Sequence, residues 1–321
     1  MKRRSIGVLS AALFATAAAG TDTTAYPVKP IRVIVGQAPG GATDIVSRAL
    51  AQKLTEGLGQ TVVIDNRSGA AGSIGSAIAA SAPPDGYTAL IISSTYTINP
   101  SLYKKLPFDP VRDLVPVTLI ASSPFLLLVH PSLAAKNARE LIALAKTRPL
   151  TFASGGVGSS GHLAAELFSS MAGITLTHVP YKGAGPALID TLGGQVNMTM
   201  SSIVSGMPYA KSGRLRALAI TSRNRSAAMP ELPTVAEAAL PGYEFSSWYG
   251  LMVPAKTSQN VVARLHAETV KALQLPDLQQ RLANEGCDPV GSTPAELAAH
   301  IKTEMARWAK VVKASGMQAE Q

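Results

Sequence analysis

Ala38-Pro39-Gly40-Gly41-Ala42-Thr43-Asp44 is the stretch on which the fold turns. In front of it, Ile31 to Val35 is an unbroken apolar run, which predicts a buried strand. Behind it, Val46, Ala49, Leu50 and Leu54 fall on one face of a helix. The heptapeptide therefore joins the C-terminal end of a strand to the N-terminal end of a helix. Open α/β sheets bind ligands at such ends. Free amides and the positive end of the helix dipole attract an anion there. Gly40 and Gly41 let the backbone approach it closely. Thr43 or Asp44 is expected to cap the helix. A capped turn with no ligand fits the same seven residues, so the rest of the chain has to decide.

Lys2, Arg3 and Arg4 precede an apolar stretch from Ile6 to Ala19. A basic start, a short apolar core and small residues at Ala17, Ala18 and Ala19 predict a secretory signal peptide rather than a membrane span. Cleavage after Ala19 and after Ala25 fit equally. No cysteine lies near either position, so a lipid anchor is not expected. Cys287 is the only cysteine, which excludes an intrachain disulfide. The expectation is a monomeric protein released into the periplasm. The net charge of +9 includes the three basic residues of the leader. The remaining basic residues are scattered and aromatics are few. Nucleic-acid binding would call for a clustered stripe with stacking partners. A diffuse positive field suits a small anion better.

From Ile31 onward strand and helix signals alternate. Thr61 to Asp65 and Ala89 to Ser93 are further strands. The turn Asn66-Arg67-Ser68-Gly69-Ala70-Ala71-Gly72 opens a helix of small residues through Ala80. Two apolar runs, Leu114 to Ile120 and Phe125 to Val129, are joined only by a short stretch around Ser122-Ser123-Pro124. So little chain between them suggests a segment passing from one lobe to another. A second set of units comes next, with strands at Leu150–Ala153, Thr175–Pro180, Val196–Met200 and Arg216–Thr221. Ser201 and Ser202 are able to cap the element after the third of these. Trp248 to Val253 is a candidate return crossing. The remainder is helical, its last helix opened by Thr293 and Pro294.

Several chemistries are set aside. Gly156-Val157-Gly158-Ser159-Ser160-Gly161 matches G-x-G-x-x-G, but a dinucleotide fold wants an acid after the next strand. That strand ends Val179-Pro180-Tyr181-Lys182. No phosphate-loop motif occurs. Ser159, Ser160 and His162 invite a hydrolase acting on anionic esters, yet the nucleophile elbow needs G-x-S-x-G and the spacing here breaks it. No pair of histidines or cysteines has metal-ligand spacing. No cofactor and no metal are expected. What remains is a set of small-residue loops at helix starts, divided between two halves, able to hold a carboxylate by several charge-assisted hydrogen bonds.

The chain resembles the tripartite tricarboxylate transporter substrate-binding proteins, the Bug family of periplasmic receptors, from about Tyr26 to its end. The resemblance rests on Pro39-Gly40-Gly41-Ala42-Thr43-Asp44, on Asn66 to Gly75, on Pro84-Asp85-Gly86-Tyr87-Thr88 and on Asn99-Pro100-Ser101-Leu102-Tyr103. His162-Leu163-Ala164, Val179 to Gly183 and Leu215 to Ala219 complete it. It implies an α/β, two-lobe periplasmic-binding-protein type II (Venus flytrap) fold, each lobe a mixed sheet flanked by helices. After a signal peptide over residues 1–25, residues 26–122 with 251–321 would form lobe 1 and residues 123–250 lobe 2. The implied ligand contacts are Pro39, Gly40, Gly41, Ala42, Thr43 and Asp44 on one side. Ser154, Gly156, Gly158, Ser159 and His162 are those on the other. Thr95, Lys182 and Ser201 are weaker candidates; a solvated surface charge fits Lys182 and a helix cap fits Ser201. Asp44 is expected to order the first loop as a cap, without a metal. The implied partners are a small organic carboxylate and membrane transporter subunits. Two departures stand out. Asn197 and Ser201 occupy positions where relatives often carry acids, which argues against an amino-acid ligand. Gln37 and Ala38 replace an aromatic residue and a proline.

Overall fold

The computed structural model describes residues 26–181 and 183–315. The signal-peptide assignment and Lys182 lie outside the described residues. In order, the elements are β1 (Ile31–Val35), α1 (Ala42–Leu58), β2 (Val62–Asn66), α2 (Ser73–Ala80), β3 (Thr88–Ser93) and α3 (Thr95–Leu102). Next come β4 (Leu114–Val129), α4 (Ala138–Ala145), β5 (Leu150–Ser154), α5 (Ser160–Ala172), β6 (Leu176–Pro180), α6 (Ala184–Leu192) and β7 (Met198–Ser202). The chain then runs through α7 (Ile203–Lys211), β8 (Arg216–Ile220), α8 (Val235–Ala238), β9 (Ser246–Pro254), α9 (Gln259–Leu273), α10 (Pro276–Asn284), β10 (Asp288–Pro289) and α11 (Pro294–Ser315).

The two apolar runs around Ser122-Ser123-Pro124 form a single 16-residue strand. The first part of β4 pairs antiparallel with β9. From Phe125 onward it pairs with β7 and β8 instead. One strand therefore belongs to two sheets. On its N-terminal side the order is β2-β1-β3-β9-β4, with the first three strands parallel. On its C-terminal side β4 is followed by β7-β5-β6, again with three parallel strands. Each sheet is thus parallel at one end and antiparallel where the crossing strands join it. This is the mixed α/β architecture that the family resemblance implied.

The core follows the periodicities. Val46, Ala49, Leu50 and Leu54 of α1 are buried against β1, β2 and β3. Phe152, Leu163, Phe168 and Met198 fill the equivalent space in the second sheet. The last helix, α11, serves both: Leu297 and Ile301 pack with Ile34 and Leu90, whereas Trp308 and Val312 pack with Phe125 and Phe245. Its start is a reciprocal cap. Thr293 Oγ1 accepts the Glu296 amide, and the Glu296 carboxylate accepts the Thr293 amide. The segment after β3 is helix α3, with Pro100 inside it.

Candidate functional site

The strand orders 2-1-3 and 6-5-7 place a switch point at the C-terminal ends of β1 and β5. Successive crossovers leave these points in opposite directions, so the loops separate and a crevice opens. Residues 36–41 and Ser94 flank the crevice of the first sheet. Residues 155–159, together with Ser202, where β7 runs directly into α7, flank that of the second.

In the first loop Gly40 has φ +79°, a left-handed conformation that favours glycine. The N-cap of α1 is Gly41, and no side chain bonds to that end of the helix. The expected cap by Thr43 or Asp44 is therefore corrected. Asp44 is the third helical residue, and its carboxylate reaches back one residue beyond the cap. Asp44 Oδ2 accepts the Gly40 amide at 2.9 Å and Arg48 Nε at 2.9 Å. Asp44 Oδ1 accepts Asn66 Nδ2 at 3.0 Å, and the same amide also donates to the Gln37 carbonyl. Burial alone would raise the Asp44 pKa. The bonds from Arg48, Gly40 and Asn66 outweigh that and hold it below the usual carboxylate value. Asp44 thus fixes the loop, which leaves the first-turn amides of Ala42, Thr43 and Asp44 without intrahelical acceptors.

The second loop is built the same way from different groups. Ser159 is the N-cap of α5 and accepts the His162 amide. His162 Nδ1 accepts the Gly158 amide at 3.1 Å. Ser154 Oγ accepts the Gly156 amide and lies 2.7 Å from His178 Nε2. The rings of His162 and His178 stack 3.9 Å apart, with the Phe152 ring 4.7 Å from His178 and 5.9 Å from His162. Burial and the neighbouring His162 push the His178 pKa down to about 4. Folding therefore favours the neutral ring. The stabilisation is complete above the ordinary histidine value of 6.5 and declines as pH falls from there towards about 4. We expect a melting temperature that drops across that window and a shallower drop in His178→Phe. A native profile flat between about pH 7 and 4 would contradict this.

The two loops approach one another across the ends of β3 and α3. Gln37 Nε2 donates to Ser93 Oγ at 3.1 Å, and next along the chain Ser94 Oγ lies 3.1 Å from Ser160 Oγ. Gly158 faces Leu102 of α3 so closely that a Cβ there would collide with the leucine side chain. Ser94 also meets Ser247 of β9. Beside it Tyr249 is buried among Ser123, Ser202 and Ser247. The link thus runs from Gln37, next to the first loop, through Ser93 and Ser94 to the start of α5, with Thr95 beside Ser93. Ser201 is buried, its Oγ meets no partner, and α7 begins after Ser202 without a side-chain cap. The capping role for Ser201 or Ser202 is not what the fold uses, because neither hydroxyl reaches the first-turn amides of α7.

The sequence reading leaves Asn66, Ser93, Ser94 and Asn99 out of its site candidates and takes up Ser160 only for the hydrolase alternative. Each lies at the end of a strand or in a helix next to one, a position that the alternating pattern could have flagged. A wider groove lies elsewhere, among Val115, Val262, Ala263, His266 and Pro294, and its surface is mostly apolar. It offers an anion few amides. Among the described residues no group of three or more His, Cys, Asp or Glu could hold a metal ion, and no helix is long and apolar enough to cross a membrane.

Residues 46–317 match the family model described as tripartite tricarboxylate transporter family receptor. The chain belongs to this receptor family. The Bordetella pertussis protein BugT is 38% identical over 97% of this chain and 96% of its own. Among solved structures, R. palustris Rpa4515 with adipate superposes with TM-score 0.86 at 37% identity, covering 91% of this chain and 99% of that one. MatC from Rhodopseudomonas palustris with bound malate gives 0.80 at 32% identity, covering 89% and 100%. As a member of this family the chain is a periplasmic solute receptor, and the two-sheet architecture is that of its neighbours.

Proposed function

We propose that this receptor captures a small organic carboxylate between two lobes and hands it on chemically unchanged, to a tripartite-type transporter or a sensor. Residues 26–122 with 251–321 form one lobe and 123–250 the other, and the chain acts as a monomer after its leader is removed. The observation that carries this reading is the Ser94–Ser160 contact, which brings the start of α3, tied to the first loop through Ser93 and Gln37, against the start of α5 at the second loop. Residues 39–44 and 154–162 supply the donors. A carboxylate held by several charge-assisted hydrogen bonds, each contributing roughly 1.5–3 kcal/mol, reaches micromolar affinity after ordering costs. The neighbours with adipate and with malate support a dicarboxylate.

The hydrolase alternative loses its pair of residues. Ser159 Oγ is turned to the His162 amide, and the His162 ring faces the Gly158 amide. Ser154 does meet His178, but its Oγ is already tied to the Gly156 amide and carbonyl. The test is a melting-temperature shift against succinate, malate, adipate, citrate, aspartate and glutamate, with turnover of ester analogues measured alongside. Stabilisation by non-amino acids without turnover is expected. Stabilisation by aspartate or glutamate alone would overturn the choice of ligand class. Ester turnover abolished in Ser159→Ala would overturn the receptor reading. In a receptor the same substitution removes only a helix cap, lowering stability by about 1 kcal/mol.

A further inference from the structure

Below the first loop, Gly36, Gln37, Gly72, Ser93, Thr95 and Asn99 line a small recess. Gln37 is followed directly by Ala38-Pro39-Gly40, so the recess adjoins the base of the loop. Its far wall is an unusual turn. Gly69, Ala70, Ala71 and Gly72 all have positive φ, at 133°, 45°, 51° and 91°. Two alanines held in the left-handed region are strained, and such strain persists only where the surroundings enforce it. Asn99 does so: its Nδ2 donates to the Ala71 carbonyl at 3.1 Å and to Ser73 Oγ at 2.9 Å. A carbonyl can only accept, so the orientation of the Asn99 amide is settled. Its Oδ1 then points away from both bonds, buried and without a partner; Asn99 is 2% exposed. Gln37 adds a second side-chain amide with one end unmet. Its Nε2 serves Ser93 and lies 3.5 Å from Thr95 Oγ1, while its Oε1 is buried and unpartnered.

Two buried acceptors in one recess call for a donor, since an unmet buried acceptor is destabilising. The space takes one group of water size, about 10 Å³ for its centre. A carboxylate is too large for it and has no proton to give. An ammonium would want a carboxylate beside it, and none lines the recess. A hydroxyl fits on both counts, since it donates to an amide oxygen and can accept from a first-turn amide of α3.

We propose that the recess formed by Gln37 and Asn99 is a hydroxyl subsite, which makes the receptor selective for hydroxycarboxylates over the same acids without the hydroxyl. This rests on the carboxylate-receptor reading above. Sites built to hydrogen-bond a hydroxyl discriminate strongly against analogues that lack it.

Calorimetric titration with three matched pairs tests it: malate and succinate, 2-hydroxyglutarate and glutarate, citrate and tricarballylate. In at least one pair the hydroxy acid should bind the native protein about tenfold or more tighter than its partner. In Gln37→Met the preference should fall to within about threefold, because Ser93 and Thr95 still pair with one another, at 2.9 Å, and the fold is kept. Asn99→Leu should behave alike if it folds, but Gln37→Met decides. Equal binding within every pair, which would mean that the recess keeps a water, overturns the subsite while leaving the receptor intact. A preference undiminished in Gln37→Met also overturns it. No binding of any of the six acids would instead remove the carboxylate reading and the subsite together.

Discussion

Asp44→Ala is expected to lower carboxylate affinity about tenfold or more and stability by about 2–4 kcal/mol. The direction is the informative part. Asp44 carries a negative charge beside an anion site, so simple Coulomb repulsion predicts that removing it would tighten binding. The geometry predicts the reverse. The carboxylate is 3% exposed and paired with Arg48 at 2.9 Å, which largely cancels its outward field. Its work is mechanical: it holds the Gly40 amide and the Asn66 side chain, and through Asn66 the Gln37 carbonyl. Without it the loop relaxes, the amides of residues 42–44 lose their common aim, and Asn66 is left with an unmet donor. Asp44→Asn should recover part of the stability but little affinity, since an amide nitrogen faces one of three donors. Calorimetry of both variants against the best carboxylate decides the matter. Tighter binding by Asp44→Ala would show that charge rather than positioning governs the site. Unchanged binding after metal chelation is expected alongside.

Gly161→Ala should be the most disruptive single methyl group in the second lobe. Gly161 lies in the first turn of α5, and a Cβ there would sit 2.5 Å from the Met200 carbonyl oxygen of β7. Both sides of that contact are backbone, so neither can rotate away. The helix start has to lift off the sheet, at a cost of about 2–4 kcal/mol. Ser159 and Ser160 are carried with it, and the Ser94–Ser160 contact between the loops is lost. A melting temperature lower by about 5 °C or more is therefore expected, with weakened ligand binding. Gly173→Ala is the control. It too lies on α5, as its C-cap with φ +61°, but nothing lies within 4 Å of its Cβ. Only the backbone penalty of about 1 kcal/mol applies there, and binding should be unaffected. Equal losses in the two variants would mean that the α5–β7 approach does not position the second loop.

Much of this architecture is legible in the amino-acid order. The alternation of apolar runs with 3.6-residue periodicity located β1, α1 and both sets of parallel strands, because burial on one face leaves that mark wherever a strand or helix is long enough. The glycine-rich loops stood out because turns with positive φ exclude most other residues, as at Gly40 and Gly158. Helix α3 carries no such mark: it is eight residues long with Pro100 inside it, and it packs chiefly against α11.

The sequence by itself determined the strands, the helices and the places where amides would be left free, since those depend on neighbours a few residues apart. Tertiary structure alone decided which side chains occupy those places. Asp44 turned out to serve the Gly40 amide and not the helix cap, and Ser201 to cap nothing. Asn99 reached across 28 residues to hold a strained turn, and Ser94 met Ser160 across 66. Hydrogen bonds of that span depend on how β4 carries one sheet onto the other. No local pattern encodes that crossing angle, because it is set by the packing of whole layers.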